Sequence, residues 1–146
     1  MVRHSFLIPF IVLCLTFPSF ALCIKKSGVN LRKGPGKNHK MIDEAFKYTP
    51  LKQVGKKGEW VHVQDFEKKT YWVHQNLVTK NFDCAVVKVE EANIRTGPGT
   101  NHEEIELSPT IKHETFKVIE RKGSWVKVED EFGGKGWIFR KLLWIY

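Results

Sequence analysis

Hydrophobic positions along this chain come in short runs that alternate with polar ones, and no stretch carries a long stripe at the 3.6-residue period of a helix. From Glu59 to Gln64 the alternation puts Val61 and Val63 on one face and Trp60, His62 and Gln64 on the other, as in a strand with one face on a core. Val126 and Val128 repeat that pattern further on. Val, Ile, Thr and aromatic residues recur in runs bounded by Gly, Pro, Asn and charged residues, which predicts strands joined by turns. Gly55-Lys56-Lys57-Gly58 and Arg121-Lys122-Gly123-Ser124 are the expected tight connections, and Gly133-Gly134-Lys135-Gly136 is the expected tip of a hairpin. One run differs in kind. Ser5 to Phe20 has no charged residue and follows Met1-Val2-Arg3-His4, the layout of a secretory signal. It is interrupted by Pro9 and Pro18 and is short for a membrane span. Ser19 and Ala21 sit three and one positions before a cut after Ala21, which makes Leu22 the mature N-terminus; an uncleaved N-terminal anchor is the alternative.

The strand pattern is duplicated. Asn30-Leu31-Arg32-Lys33-Gly34-Pro35-Gly36-Lys37-Asn38-His39 aligns with Asn93-Ile94-Arg95-Thr96-Gly97-Pro98-Gly99-Thr100-Asn101-His102. Lys57-Gly58-Glu59-Trp60-Val61-His62-Val63 aligns with Lys122-Gly123-Ser124-Trp125-Val126-Lys127-Val128, and Trp72-Val73 through Leu77 with Trp137-Ile138 through Leu142. The spacing lengthens by two residues between the first block and the others, which places an insertion between His102 and Lys122. Pro fixes one φ and its flanking glycines tolerate positive φ, so Gly-Pro-Gly reads as a sharp loop leaving the first strand. No helix follows it to make a phosphate cradle.

Four ordered blocks occurring twice resemble the bacterial SH3-like domain, in the tandem form found in exported proteins of Gram-negative bacteria. The resemblance covers residues 29 to about 78 and 92 to about 144. It implies an all-β chain of two tandem small SH3-like β-barrels preceded by an N-terminal signal peptide: 1–21 the signal, 22–83 the first domain and 84–146 the second. It also implies a cell-wall or peptide binding module, since such domains are often attached to peptidoglycan hydrolases. Two differences between the copies bear on the strands. Tyr71 stands where the second copy has Gly136, and Pro109 with the insertion alters the strand after the second Gly-Pro-Gly loop.

Charge separates the halves further. Residues 22–83 hold 13 Lys or Arg against 6 Asp or Glu, whereas residues 84–146 hold 10 of each. The positive excess lies wholly in the first domain, where it favours a peripheral contact with an anionic surface or simply solubility. Cys14 leaves with the signal, so Cys23 and Cys84 remain in an oxidising compartment. Either they form one disulfide joining the starts of the two domains, or cleavage follows Cys23 and leaves Cys84 single.

Catalysis needs a nucleophile or an acid–base pair within reach, and no catalytic domain remains once the repeats are subtracted, so no enzyme is expected. His39 and His102 are the repeated histidines, and they read as caps on the Gly-Pro-Gly loops. No Cys-x-x-Cys or His-x3-His cluster supports a metal, and no cofactor is expected. Aromatic side chains are the better candidates for binding: Tyr48, Trp60, Tyr71 and Trp72 on the basic first domain, with Trp125 and Trp137 as repeats. Core filling is the competing role for Trp60 and Trp125. Arg32 and Arg95 are either donors to nearby carbonyls or forks for a ligand carboxylate. The expected ligand is a cell-wall peptide or an envelope protein held in aromatic grooves of a periplasmic or secreted protein. The alternative is a structural adaptor of the envelope whose basic first domain touches an anionic surface. Export argues against a nucleic-acid partner.

Overall fold

A computed structural model describes residues 20–146. The expected signal falls on residues 1–19, outside the described residues, apart from Phe20 and Ala21 at its end. The first half contains β1 (Ala21–Ile24), β2 (Val29–Arg32), β3 (Met41–Ala45), β4 (Pro50–Lys57), β5 (Trp60–Gln64), β6 (Thr70–His74) and β7 (Val78–Thr79). The second contains β8 (Cys84–Val87), β9 (Glu91–Ala92), β10 (Thr110–Ile111), β11 (Thr115–Lys122), β12 (Trp125–Glu129), β13 (Lys135–Phe139) and β14 (Leu143–Trp144). Two single 3-10 turns, Gln75–Leu77 and Arg140–Leu142, precede the last strand of each half.

The first seven strands form one antiparallel ladder in the order β3-β2-β6-β5-β4-β1-β7. The second half repeats it with one break: β13-β12-β11-β8-β14 is a single sheet, and β10-β9 is a separate pair. An isolated bridge between Arg95 and Trp137 joins the segment after β9 to β13, as Arg32 pairs Trp72 between β2 and β6. The two halves therefore share one strand order.

Strand register also places the insertion. Arg32 pairs Met41 and Arg95 pairs Glu104, a spacing of 63; Val29 pairs Ala45 and Ala92 pairs Thr110, a spacing of 65 at the second partner. The two extra residues lie between Glu104 and Thr110, where β3 of the first domain is replaced by an irregular segment ahead of the short β10.

All three expected turns sit differently. β4 runs through Lys57, so the connection is only Gly58-Glu59, with Gly58 at φ +59 in the first of two turn positions, as a II′-like hairpin requires. Gly123-Ser124 repeats it. The last hairpin turns at Glu131–Gly133, closed by Asp130, and Gly136 lies inside β13 as a buried residue. Strand pairing with β12 overrides the glycine-rich composition there: Glu129 pairs Lys135 and Val128 pairs Gly136.

Each domain has its own core. Val61 and Val63 are buried in the first with Ile24, Leu51 and Val73, and Val126 and Val128 take the matching places in the second with Val87, Phe116 and Ile138. Between them lies a third cluster of Cys23, Cys84 and Tyr48 with Phe82 against it. The two half-cystines are bonded, across 61 positions of sequence, so the disulfide joins the first strand of one domain to the first strand of the other. Cleavage after Cys23 would remove this half-cystine and the buried Leu22 together.

Polar contacts extend the joint. Thr115 Oγ1 donates to the Lys47 carbonyl at 2.7 Å, and Ser27 Oγ accepts from Lys47 N at 3.0 Å while donating to Glu131 Oε2 at 2.9 Å. His113 Nε2 lies 2.6 Å from Glu67 Oε1, and this hydrogen bond is the main cause holding the Glu67 carboxyl below its ordinary range. Arg121 pairs Asp83 at 2.7 Å.

Candidate functional site

Alternation along β5 and β6 turns the valines inward and leaves Trp60, His62, Trp72 and His74 on the outer face. Register places Trp60 opposite His74 and His62 opposite Trp72. The Trp60 and His74 rings meet edge to face with centroids 5.4 Å apart, and His62 stacks on Trp72 at 4.5 Å with the planes 8° apart. Burial against this ladder lowers the pKa of His62, which favours the neutral imidazole.

Trp60 forms a wall of a groove of about 350 Å³ beside β2. Lys26, Arg32 and Lys37 supply its positive charge, Asn30 and Asn76 its neutral polar groups, and Val29 and Leu77 apolar surface. No Asp or Glu is among its lining residues. His74 serves the groove twice: its Nδ1 accepts from Asn76 N at 3.2 Å, which caps the 3-10 turn, and its ring buttresses Trp60. Glu59 stands 3.5 Å from His74 Nε2 at the edge. Such an arrangement presents an aromatic surface beside cations, suited to a ligand with both a flat or apolar part and a negative charge.

The Gly-Pro-Gly loops at one end of each domain are alike. Gly34 and Gly97 are packed under the rings of His39 and His102, where a Cβ would overlap the imidazole. Gly36 and Gly99 lie likewise under Asn38 and Asn101, 2.5 Å from Oδ1 to the position a Cβ would take. Both histidines thus cap their loops. Arg32 Nη1 and Arg95 Nη1 donate to the carbonyls of His39 and His102, each at 2.9 Å. Both arginines thus donate to nearby carbonyls, and Arg32 in addition lines the Trp60 groove.

The four aromatic residues expected to form one surface on the first domain are separated. Tyr48 is 7% exposed in the joint between the domains, edge to face with Phe82. Tyr71 is 5% exposed inside the first core, because β6 alternation turns it inward with Val73, and its hydroxyl reaches Asp65 Oδ2 at 3.1 Å and Asp43 Oδ2 at 3.3 Å. Burial first, and then the Asp65 and Asp43 carboxylates, hold its phenol proton well above the ordinary range. Trp60 and Trp72 remain on the outer face, half-buried. Trp125 is also half-buried and packs beside Phe139, while Trp137 is buried.

Sequence reasoning missed Lys26, Lys37, His74 and Asn76. The basic excess of the first half carried a signal for the lysines, but only the fold brings the segment before β2, the loop after it, the end of β6 and the 3-10 turn to Trp60. At the repeat-equivalent positions the second domain has Val89, Thr100, Phe139 and Lys141, so two of the three cations and the buttressing histidine are not duplicated.

Two models of the bacterial SH3 domain match this sequence, one over residues 25–80 and the other over residues 90–143. No curated protein matches it. Among solved structures, NlpC2 from Trichomonas vaginalis is 15% identical with a TM-score of 0.38, covering 87% of this chain and 48% of that one. An NlpC/P60 family protein from Bacillus cereus ATCC 10987 is 15% identical with a TM-score of 0.40, covering 87% of this chain and 56% of that one. The chain spans about half the length of these structures.

Proposed function

Because this chain belongs to the bacterial SH3 domain family, with two copies in tandem, we propose that it is an exported, non-catalytic binding protein that holds carboxylate-bearing cell-wall peptide in the Trp60 groove of its first domain. The observation that carries this reading is the lining of that groove: Trp60 beside Lys26, Arg32 and Lys37, with no carboxylate among them. A stem peptide offers carboxylates for the cations and apolar surface for the indole, and the Asn30 and Asn76 side chains can pair with its amides. Domains of this family are described as cell-wall or peptide binding modules, which supplies the class of ligand. The second domain, with its charges balanced, positions the first through the disulfide and the joint around Tyr48.

Sedimentation with purified peptidoglycan at physiological salt tests the reading. Retention above that of a charge-matched control protein is expected, and Trp60→Ala should lower affinity about tenfold, the effect of losing one aromatic anchor in a small site. Trp60 lies on the face opposite Val61 and Val63, so the variant should keep the fold. Retention that is unchanged in Trp60→Ala and vanishes as salt is raised would instead favour contact between the basic first domain and an anionic surface.

A further inference from the structure

The two copies also differ at a second cavity, and the first domain serves as its template. In the first domain Asp65 closes the β5–β6 turn: its Oδ1 accepts from the backbone N of Glu67 and of Lys69, both at 2.9 Å, which leaves Oδ2 for the Tyr71 hydroxyl. In the second domain Asp130 closes the equivalent turn, its Oδ1 accepting from the backbone N of Phe132 and of Gly134, both at 2.8 Å. The residue matching Tyr71 is Gly136, and among the described residues no donor reaches Asp130 Oδ2. Ile94 and Ile105 close over the Cα of Gly136, so this chain offers no side chain from that direction. Asp130, whose Oδ2 lies over Gly134, lines an open groove of about 590 Å³ together with Phe116, Val128 and the segment that carries the insertion. Four large apolar residues exposed to solvent surround it: Phe46 from the first domain, and Leu107, Ile111 and Phe132 from the second. Exposed apolar side chains gathered at one groove mark an interaction surface rather than scattered ones.

We propose that this inter-domain groove receives a tyrosyl side chain presented by a partner polypeptide, with the phenol donating to Asp130 Oδ2 as Tyr71 donates to Asp65 Oδ2 in the first domain. The exposed apolar rim provides contact for the residues flanking the tyrosine, and the Lys47 side of the groove ties the site to the docked arrangement of the two domains. This site is separate from the Trp60 groove and does not depend on the cell-wall reading.

The test uses the isotope-labelled full chain and two blocked tripeptides, acetyl-Ala-Tyr-Ala-amide and acetyl-Ala-Phe-Ala-amide, followed by amide chemical shifts. The tyrosyl peptide should give saturable shifts at Leu107, Phe132, Gly134 and Gly136 and bind at least fivefold more tightly than the phenylalanyl one. Asp130→Asn keeps an oxygen for the turn and replaces the free acceptor with a donor, so it should bring the two peptides to equal affinity. Equal affinity of the two peptides for the unaltered chain, shifts confined to the Trp60 groove, or a tyrosyl preference that survives Asp130→Asn would each overturn the proposal. Should Asp130→Asn not fold, the comparison of peptides on the unaltered chain decides alone.

Discussion

Replacing both half-cystines, Cys23→Ala with Cys84→Ala, is expected to lower the melting temperature of the chain by on the order of 15 °C. The disulfide spans 61 positions of sequence. Closing a loop of that length removes about 4 kcal/mol of chain entropy from the unfolded state in the loop-closure account. For a chain of this size that energy corresponds to the stated shift, by the usual entropy of unfolding per residue. Both half-cystines are buried, at 2% and 3% exposure, against Tyr48 and Phe82, so the variant also loosens the apolar cluster between the domains. Calorimetry of the oxidised chain against the double variant checks this, and coincident melting curves would show that the crosslink adds nothing. Two separated transitions in the variant would show in addition that the disulfide is what makes the domains melt together.

Tyr71→Ala should cost about 3–5 kcal/mol, the range for deleting a buried aromatic ring. This one change removes the ring that fills the first core where β3, β5 and β6 meet, and it leaves Asp65 Oδ2 and Asp43 Oδ2 without the hydroxyl they share. Tyr71→Phe keeps the ring and loses only the donor, for a cost of about 1–2 kcal/mol. Denaturant unfolding of the two variants separates packing from hydrogen bonding. A Tyr71→Ala variant as stable as the parent would mean that neither the ring nor its hydroxyl contributes to the stability of the first core.

Much of the architecture was legible because it rests on period and repetition. The valine alternation at Val61-Val63 and Val126-Val128 fixed which face is core, and the repeated Asn-x-Arg-x-Gly-Pro-Gly-x-Asn-His block marked one loop twice. Packing accounts for that block: a Cβ at Gly34 or Gly97 would overlap the histidine ring, and one at Gly36 or Gly99 would displace the asparagine side chain. Turn positions were less legible. Gly133-Gly134-Lys135-Gly136 has the composition of a loop, yet pairing with β12 draws Lys135 and Gly136 into a strand, and Gly136 is there because Ile94 and Ile105 occupy the space a side chain would need. The aromatic residues were the hardest to place. Tyr71 and Trp72 are adjacent in sequence and on opposite faces, so one strand sends the first into the core and the second to the outer ladder. Tyr48 is held in the joint by the other domain's half-cystine, a contact that only the tertiary arrangement creates. The groove at Trp60 was half legible: the indole and the positive excess could be seen, but the convergence of Lys26, Lys37 and Asn76 comes from three separate segments.

Amide-shift mapping of the labelled full chain during titration with a soluble muropeptide bearing free carboxylates is the most direct test of the central claim, that ligand is held in the first domain at Trp60. Saturable shifts gathered at Lys26, Asn30, Trp60, His74 and Asn76, and absent in Trp60→Ala, are the predicted result. Shifts centred on the second domain, or none at all up to millimolar ligand, would contradict it.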